Sequence, residues 1–405
     1  MNKFKLRFCW LFSFVLAQSS HAFGQALTLQ DVFTKVLQVN PKLQSFESLV
    51  KAKQGAAQQA EVRLNPNLGV NAGNRVQVLN LDQELEYPGK RRARTLAAAA
   101  EIEIAEAERQ LVALELQQEA AGLFYAVLWG EKNIQFLQQH LDVTQQFLQA
   151  ATYKFDQGFG SELDVVKAQV EVVRARRLLQ ATQQEHLTSQ SKLKTLLKIP
   201  FTQSIELQDE LSISRLAAPV NPDSLLQQAL RFFPAAQLAE AGLKAARYRV
   251  DLARLSSKPN FNIGLEGGVD DKEATASVNL SIPLALQDKK KGAQLEAQFE
   301  QQSREYDLEN TRNNIIQQVT TAYQEYRTAL AAVNLFDTTL LRKAQDAAHA
   351  AQRAFETSGF RLLDLIDAQR TYLDTMLEYY ESLLSLRQTE STLQIASGTP
   401  IVRGQ

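Results

Sequence analysis

Proline is placed so unevenly along this chain that most compact folds are excluded. All ten prolines fall at positions 41, 66, 88, 200, 219, 222, 234, 259, 283 and 400, which leaves 89–199 and 284–399 without one. Proline fixes φ and lacks the amide hydrogen that a helix interior needs, so stretches this long without it point to long helices. A single helix from Lys90 to Gln157 would extend roughly 100 Å at ~1.5 Å per residue. A compact globule has no room for such an element.

The same prolines reveal a duplication. Pro41, Pro66 and Asn67 are followed 193 residues later by Pro234, Pro259 and Asn260, and Pro88 is followed 195 later by Pro283. Near the end of each half, Asp164-Val-Val-Lys-Ala168-Gln169 recurs 200 positions on as Asp364-Leu-Ile-Asp-Ala368-Gln369. The chain therefore reads as one unit used twice. The expected layout is a first repeat over 23–200, a linker over 201–221, a second repeat over 222–400 and a short tail over 401–405.

Heptad spacing supports the helical reading. Leu116, Leu123 and Leu137 alternate with Ala120, Val127, Ile134, Leu141 and Leu148. The second half sets Ile316, Tyr323, Leu330 and Ala344 against Val319, Tyr326, Val333 and Leu340. After each long helix comes a glycine-containing turn, with Gly158 and Gly160 in one half and Gly359 in the other. A second helix then follows, over Leu163–Leu197 and Leu362–Ile395, so each half holds one long helical hairpin, about 90–199 and 288–397. The heptad residues read as packing and not as a cofactor site.

Between the prolines the period changes to two. Phe261, Ile263, Leu265, Gly267 and Val269 alternate with Asn260, Asn262, Gly264, Glu266 and Gly268. Ala274 to Leu284 alternates the same way, with a turn at Gly268-Val-Asp-Asp-Lys272. In the first half, Leu79, Leu81, Leu85 and Tyr87 alternate with Asn80, Asp82, Glu84 and Glu86, after a less regular strand over Asn67–Gly73. Each half thus supplies one β-hairpin, about 66–88 and 259–284. Four strands cannot close around a lumen, whereas three chains would supply twelve, within the range of membrane barrels. A small soluble sheet capped by helices satisfies the same pattern.

The first 22 residues have the build of an export signal: Lys3, Lys5 and Arg7, an apolar run from Phe8 to Ala17, and Ser20-His21-Ala22. Without them, 41 Lys and Arg face 45 Asp and Glu, a formal charge of −4, which offers nothing to nucleic acid. The one cysteine, Cys9, lies inside this segment, so neither a disulfide nor a lipid anchor is expected. No later run of 18 apolar residues is present, and entry into a membrane would have to use a β-barrel.

Metal ligation is not expected. Outside the signal the histidines are His140, His186 and His349, and Met376 is the only methionine, so no ligand cluster exists. No phosphate loop, Ser-His-Asp arrangement or enclosed carboxylate pair is present either, which argues against an enzyme and against a cofactor.

The order of signal, short helix pair, β-hairpin and long helical hairpin, repeated once, resembles the TolC family of outer-membrane factors over essentially the whole chain. The segment Leu85-Glu-Tyr-Pro-Gly-Lys-Arg-Arg-Ala-Arg94 looks like the strand-to-helix junction of the heavy-metal branch, the CzcC-like and CusC-like proteins. This resemblance implies a mainly α fold with a small membrane β-barrel part. It also implies a homotrimer with a twelve-stranded barrel and a periplasmic α-barrel, placed in the bacterial outer membrane and reaching into the periplasm. It further implies a periplasmic adaptor and an inner-membrane pump of the resistance-nodulation-division class as partners, and export of heavy-metal cations. A duct for drugs or secreted proteins shares the fold. A soluble periplasmic adaptor is a further alternative, but adaptors carry one helical hairpin and no whole-chain duplication.

The family closes its periplasmic entrance with aspartates near the helical tip. Asp364 and Asp367 match that pattern, and Asp164 matches the corresponding first-repeat position. In a trimer Asp364 and Asp367 would form stacked acidic rings. Lys167 stands where the second repeat has Asp367 and is a candidate salt-bridge partner. The alternative role for these aspartates is to stabilise the first turn of the return helix. Gly158, Gly160 and Gly359 are expected to form turns that expose the tip to an adaptor. Two basic clusters, Lys90, Arg91, Arg92 and Arg94, and Lys289, Lys290 and Lys291, stand at helix starts, where positive charge opposes the macrodipole. They are expected near lipid headgroups or acidic groups at the barrel rim, or else as a solvated charged end.

Overall fold

The computed structural model describes residues 26–73, 76–209, 211, 221–270, 273–284, 286–336, 338–357 and 361–398. The export signal, Gly359, Pro400, the tail and most of the linker after 209 lie outside them.

Two short helices, α1 (Leu29–Val39) and α2 (Pro41–Glu61), lead into β1 (Asn67–Ala72) and β2 (Val76–Leu85). Then come α3 (Lys90–Asp156) and α4 (Glu162–Leu196). The order repeats with α5 (Pro222–Phe232), α6 (Pro234–Ser256), β3 (Phe261–Asp270), β4 (Glu273–Ser281), α7 (Lys291–Leu335), α8 (Thr338–Thr357) and α9 (Leu362–Ala396).

The paired prolines now have local roles. Pro41 and Pro234 occupy the first turns of α2 and α6, where the missing amide hydrogen costs nothing. Asn40 caps α2 through Lys42 N–H at 2.9 Å, and Thr28 and Asp31 close a reciprocal box on α1. Of the linker, the start is held in place: Leu27 N–H donates to the Glu206 carbonyl at 2.8 Å, and Gln208 N–H to that of Leu27 at 2.9 Å.

A molecule built on a 67-residue helix distributes its core along the rod. The largest cluster gathers α1, the middle of α3, the end of α4, and facing parts of α7 and α9 around Phe124, Val32, Leu193, Val333 and Leu386. A second, of Leu137, Leu141, Val172, Ala175 and Leu179, lies farther along the first helical hairpin, and a third, around Phe147, Phe355 and Leu365, joins the tips of both hairpins. Helices α3 and α4 come close at Gly130, where a Cβ would lie 2.6 Å from the His186 Nδ1 and 2.9 Å from its Cβ.

Two expectations need correction. The second-half seam shares Val319, Tyr326 and Val333 with the sequence reading, but its other positions are Ile315, Ala322 and Ala329, one residue earlier than expected. Ile316 is 41% exposed where Ile315 is 2% exposed. Small residues at 322 and 329 let the helices meet there, while the larger Tyr323 and Leu330 beside them stay partly buried. Second, the proline-free stretch is not one helix: α7 ends at Leu335, with Phe336 turned out of the helical region at φ −86°, ψ 69°, and α8 starts at Thr338.

The four strands form one antiparallel sheet in the order β1-β2-β3-β4, so the two repeats join edge to edge through β2 and β3. The register sets Leu68, Leu81, Leu265 and Val278 in one row across all four strands. The row beside it, on the other face, is Asn67, Asp82, Gly264 and Asn279. No helix packs broadly on either face among the described residues. Leu68, Val70, Val278 and Leu280 are therefore 66–72% exposed.

One 18-residue window of α3 is apolar enough by composition to cross a membrane, although it is not an unbroken apolar run. Of that window 44% is buried within the chain itself, as expected of a helix against which α1, α2, α4, α6 and α9 pack.

Candidate functional site

At the far end of the rod, α3 and α4 are joined by a turn in which Gly158 takes φ +78°, a conformation costly for any residue with a Cβ. Gly160 lies so close to the turn that a Cβ would come within 2.7 Å of the Phe155 nitrogen. Phe159 between them is 87% exposed. The turn thus presents an aromatic ring outward on a backbone only glycine tolerates. The corresponding Gly359 lies outside the described residues.

Helices α4 and α9 start beside this tip. Ser161 caps α4, its Oγ accepting from Leu163 N–H at 3.2 Å, and Asp164 is half-buried in the first turn. Asp364 holds the same place in α9, where the Arg361 guanidinium donates to it at 3.0 and 3.1 Å. Asp367 is exposed one turn on. Within the single chain no ion pair joins Lys167 to an aspartate among the described residues, and Asp364 pairs with Arg361. The reason is local: Arg361 precedes Asp364 by three residues, within reach on one helical face.

Two cross-ties that the sequence reading missed bind the hairpins near this end. Lys154 from α3 donates to the Phe355 carbonyl at the end of α8 and lies 3.9 Å from the centre of its ring. Glu171 of α4, 15% exposed at its side chain, accepts from Arg370 of α9 and from Arg174 at 2.9 Å. Glu171 and Arg370 are 199 residues apart in the chain, close to the period of the duplication, and that was the available signal.

The sheet shows a charge asymmetry. The polar face carries Asn80, Asp82, Glu84, Asn262, Glu266 and Asn279, and the four strands contain no lysine or arginine. Asn80 donates to Asp82 at 3.0 Å, and Gly264 beside it leaves space that a Cβ would take, 2.6 Å from the Asp82 Oδ1.

The junction of sheet and helices divides the first basic cluster. Lys90 donates to the Lys258 carbonyl at 2.6 Å and to Asn260 at 2.7 Å, which ties the two repeats together. Burial lowers its pKa, and the nearby Lys290 adds to this. Arg94 pairs with Glu86 and reaches the Ala60 and Val62 carbonyls at 2.9 and 3.1 Å. Arg91 and Arg92 are exposed, as are Lys289, Lys290 and Lys291.

A rod of paired helices ending in a bare, half-finished sheet is not self-contained. Residues 32–197 and 225–399 match the family described as outer membrane efflux protein. The chain belongs to that family. This efflux protein is 25% identical over 376 residues to the cobalt-zinc-cadmium resistance protein CzcC of Cupriavidus metallidurans, covering 91% of this chain and 89% of CzcC. It is also 25% identical over 338 residues to the pyoverdine export outer membrane protein OpmQ of Pseudomonas putida, covering 79% and 69%. The fold is that of crystallised CusC, with a TM-score of 0.76 at 16% identity over 93% of this chain and 94% of CusC. The efflux protein is thus an outer-membrane channel component with a TolC-like fold, and the membrane is where its bare apolar sheet belongs.

Proposed function

We propose that three copies of this chain form an export duct for heavy-metal cations, the outer-membrane part of a tripartite system with a periplasmic adaptor and a proton-driven inner-membrane pump. The observation that carries the cation reading is the polar face of the sheet, which bears carboxylates and amides and no basic group. Three copies would bring twelve strands into one barrel, apolar face to lipid and polar face to the lumen. A lumen lined by one sign of charge favours ions of the opposite sign. The likeness to CzcC across nine-tenths of both chains supports metal as the cargo.

In this reading Asp364 and Asp367, with Asp164, constrict and charge the periplasmic mouth. Gly158, Gly160 and Gly359 shape the tips offered to the adaptor, and Arg91, Arg92, Lys289, Lys290 and Lys291 stand at the rim of the barrel. Selection of the metal falls to the pump, because the described residues contain no cluster of three or more metal-ligating side chains.

The second reading is a duct for organic cargo, supported by the same 25% identity to OpmQ over a smaller share of both chains. Cellular metal content separates the two. A deletion strain exposed to zinc, cobalt, cadmium, nickel, copper and silver separately should retain a subset of these ions, and complementation should clear them. Unchanged content for every metal would move the assignment to organic cargo.

A further inference from the structure

Where β2 runs into α3, a cavity of about 370 Å³ opens, lined by Arg63, Leu64, Gln83, Tyr87 and Arg91 among others. Its lining takes strand residues of both parities, Gln83 and Leu85 from the face of Leu79 and Leu81 and Glu84 from the polar face, so the cavity sits across the helical end of β2. The acids here are already engaged. Glu86 is held by Arg94, and Glu84 accepts from Asn260 at 2.7 Å, beside Lys90. Neither Arg63 nor Arg91 has an ion-pair partner among the described residues. Glu86 and Glu84 thus face Arg94 and Lys90, and the charges of Arg63 and Arg91 are not compensated by an ion pair.

Exposed arginines are common on any surface. These two differ in lining a cavity that Leu64 also lines, at a chain segment whose other apolar side chains are bare: Val62, Leu64 and Leu68 are 50%, 37% and 66% exposed. An occupant must offer an anion to the guanidiniums and hydrocarbon to the sheet. A phosphodiester meets the first demand, since guanidinium pairs with phosphate in a two-pronged geometry, and acyl chains meet the second. Tyr87 has the amphipathic ring that settles at a membrane–water boundary. The first turn of α3 has no side-chain cap and adds to the same positive field.

We propose that this cavity is a headgroup site for an anionic phospholipid of the leaflet nearest the helices, with Arg63 and Arg91 gripping the phosphodiester. The site rests on the reading of the sheet as the membrane-embedded part. It gives the chain a fixed depth in the bilayer, set by two side chains on different elements.

Native mass spectrometry of the full-length channel, purified in detergent and supplied with phosphatidylglycerol, phosphatidylcholine or inorganic phosphate, tests this. Phosphatidylglycerol should be retained in preference to phosphatidylcholine. Arg63→Gln with Arg91→Gln should lower its retention about ten-fold, and Arg63→Lys with Arg91→Lys should keep most of it. Arg176→Gln with Arg177→Gln, two exposed arginines of α4, removes as much charge and should leave retention unchanged. Inorganic phosphate should fail to displace the lipid. The same spectra report the mass of the assembly, so lipid loss is read only from intact channels. If the double variant does not assemble, each single arginine variant should show a partial loss. Retention indifferent to the arginines, equal loss in the α4 control, or displacement by inorganic phosphate overturns the site. A chain that never partitions into the outer-membrane fraction overturns the reading beneath it.

Discussion

Arg387 is a charge almost wholly removed from water. Its side chain is 4% exposed, it bonds Glu390 at 3.0 Å, and its Nε has no hydrogen-bond partner. Removing one member of such a pair leaves the other buried and uncompensated, which costs about 3–5 kcal/mol. Arg387→Ala should therefore lower the denaturation midpoint sharply, and Arg387→Met with Glu390→Leu should recover much of the loss. His140 responds to pH. Burial lowers its pKa, against the opposing pull of Glu171 and Asp374, so the unfolded chain binds a proton more readily than the folded one. Stability gained from neutral His140 is complete above its ordinary pKa and is lost as pH falls below about 6.5. His186 is lowered by burial too, so His140→Gln should reduce the slope of melting temperature against pH in that range without abolishing it. At this scale the sequence was partly legible. Spacing within a helix was enough to relate Asp364 to Asp367, but Glu171 meets Arg370 only because the fold sets α4 against α9. Arg63 carried no motif at all.

Helix α7 shows what periodicity can and cannot say about an element. A heptad can be read from sequence to within one position, and only packing decides which neighbour turns inward. Ile315→Ala should cost about 2–5 kcal/mol, whereas Ile316→Ala, on the exposed side, should cost well under half of that. Comparing the two unfolding midpoints decides the register. The break at Phe336 had no proline or glycine to announce it, because a helix can also end where tertiary contacts favour a different path. Strand pairing was less legible than strand existence. Gly268 reads as a turn residue, yet it lies in β3 where a Cβ would come within 2.1 Å of the Gln77 carbonyl oxygen on β2. Gly268→Val should block the joining of the two hairpins and reduce recovery of the protein from the outer membrane, measured by immunoblot of fractionated cells.

For the molecule as a whole, duplication was the most legible feature and closure the least. Paired prolines, a recurring Asp-x-x-x-Ala-Gln segment and alternating strands are local facts that survive in one sequence. A sheet whose edges β1 and β4 have no partner strand among the described residues is a fact about what is missing beside them, and it becomes visible only when the sheet is seen uncovered. Exposed edges beside an exposed apolar face are unstable in water and are resolved by pairing with further strands and by lipid. The mature chain is expected to lack cysteine, which makes this closure directly measurable. Val70→Cys on β1, combined in turn with Ala276→Cys, Val278→Cys or Leu280→Cys on β4, scans possible registers between copies, and disulfides form only where the paired residues lie within about 7 Å. Oxidation in intact cells should link one of these combinations into covalent species up to three chains, with the single variants limited to at most two. A chain that stays monomeric in every combination while present in the outer membrane would contradict the duct.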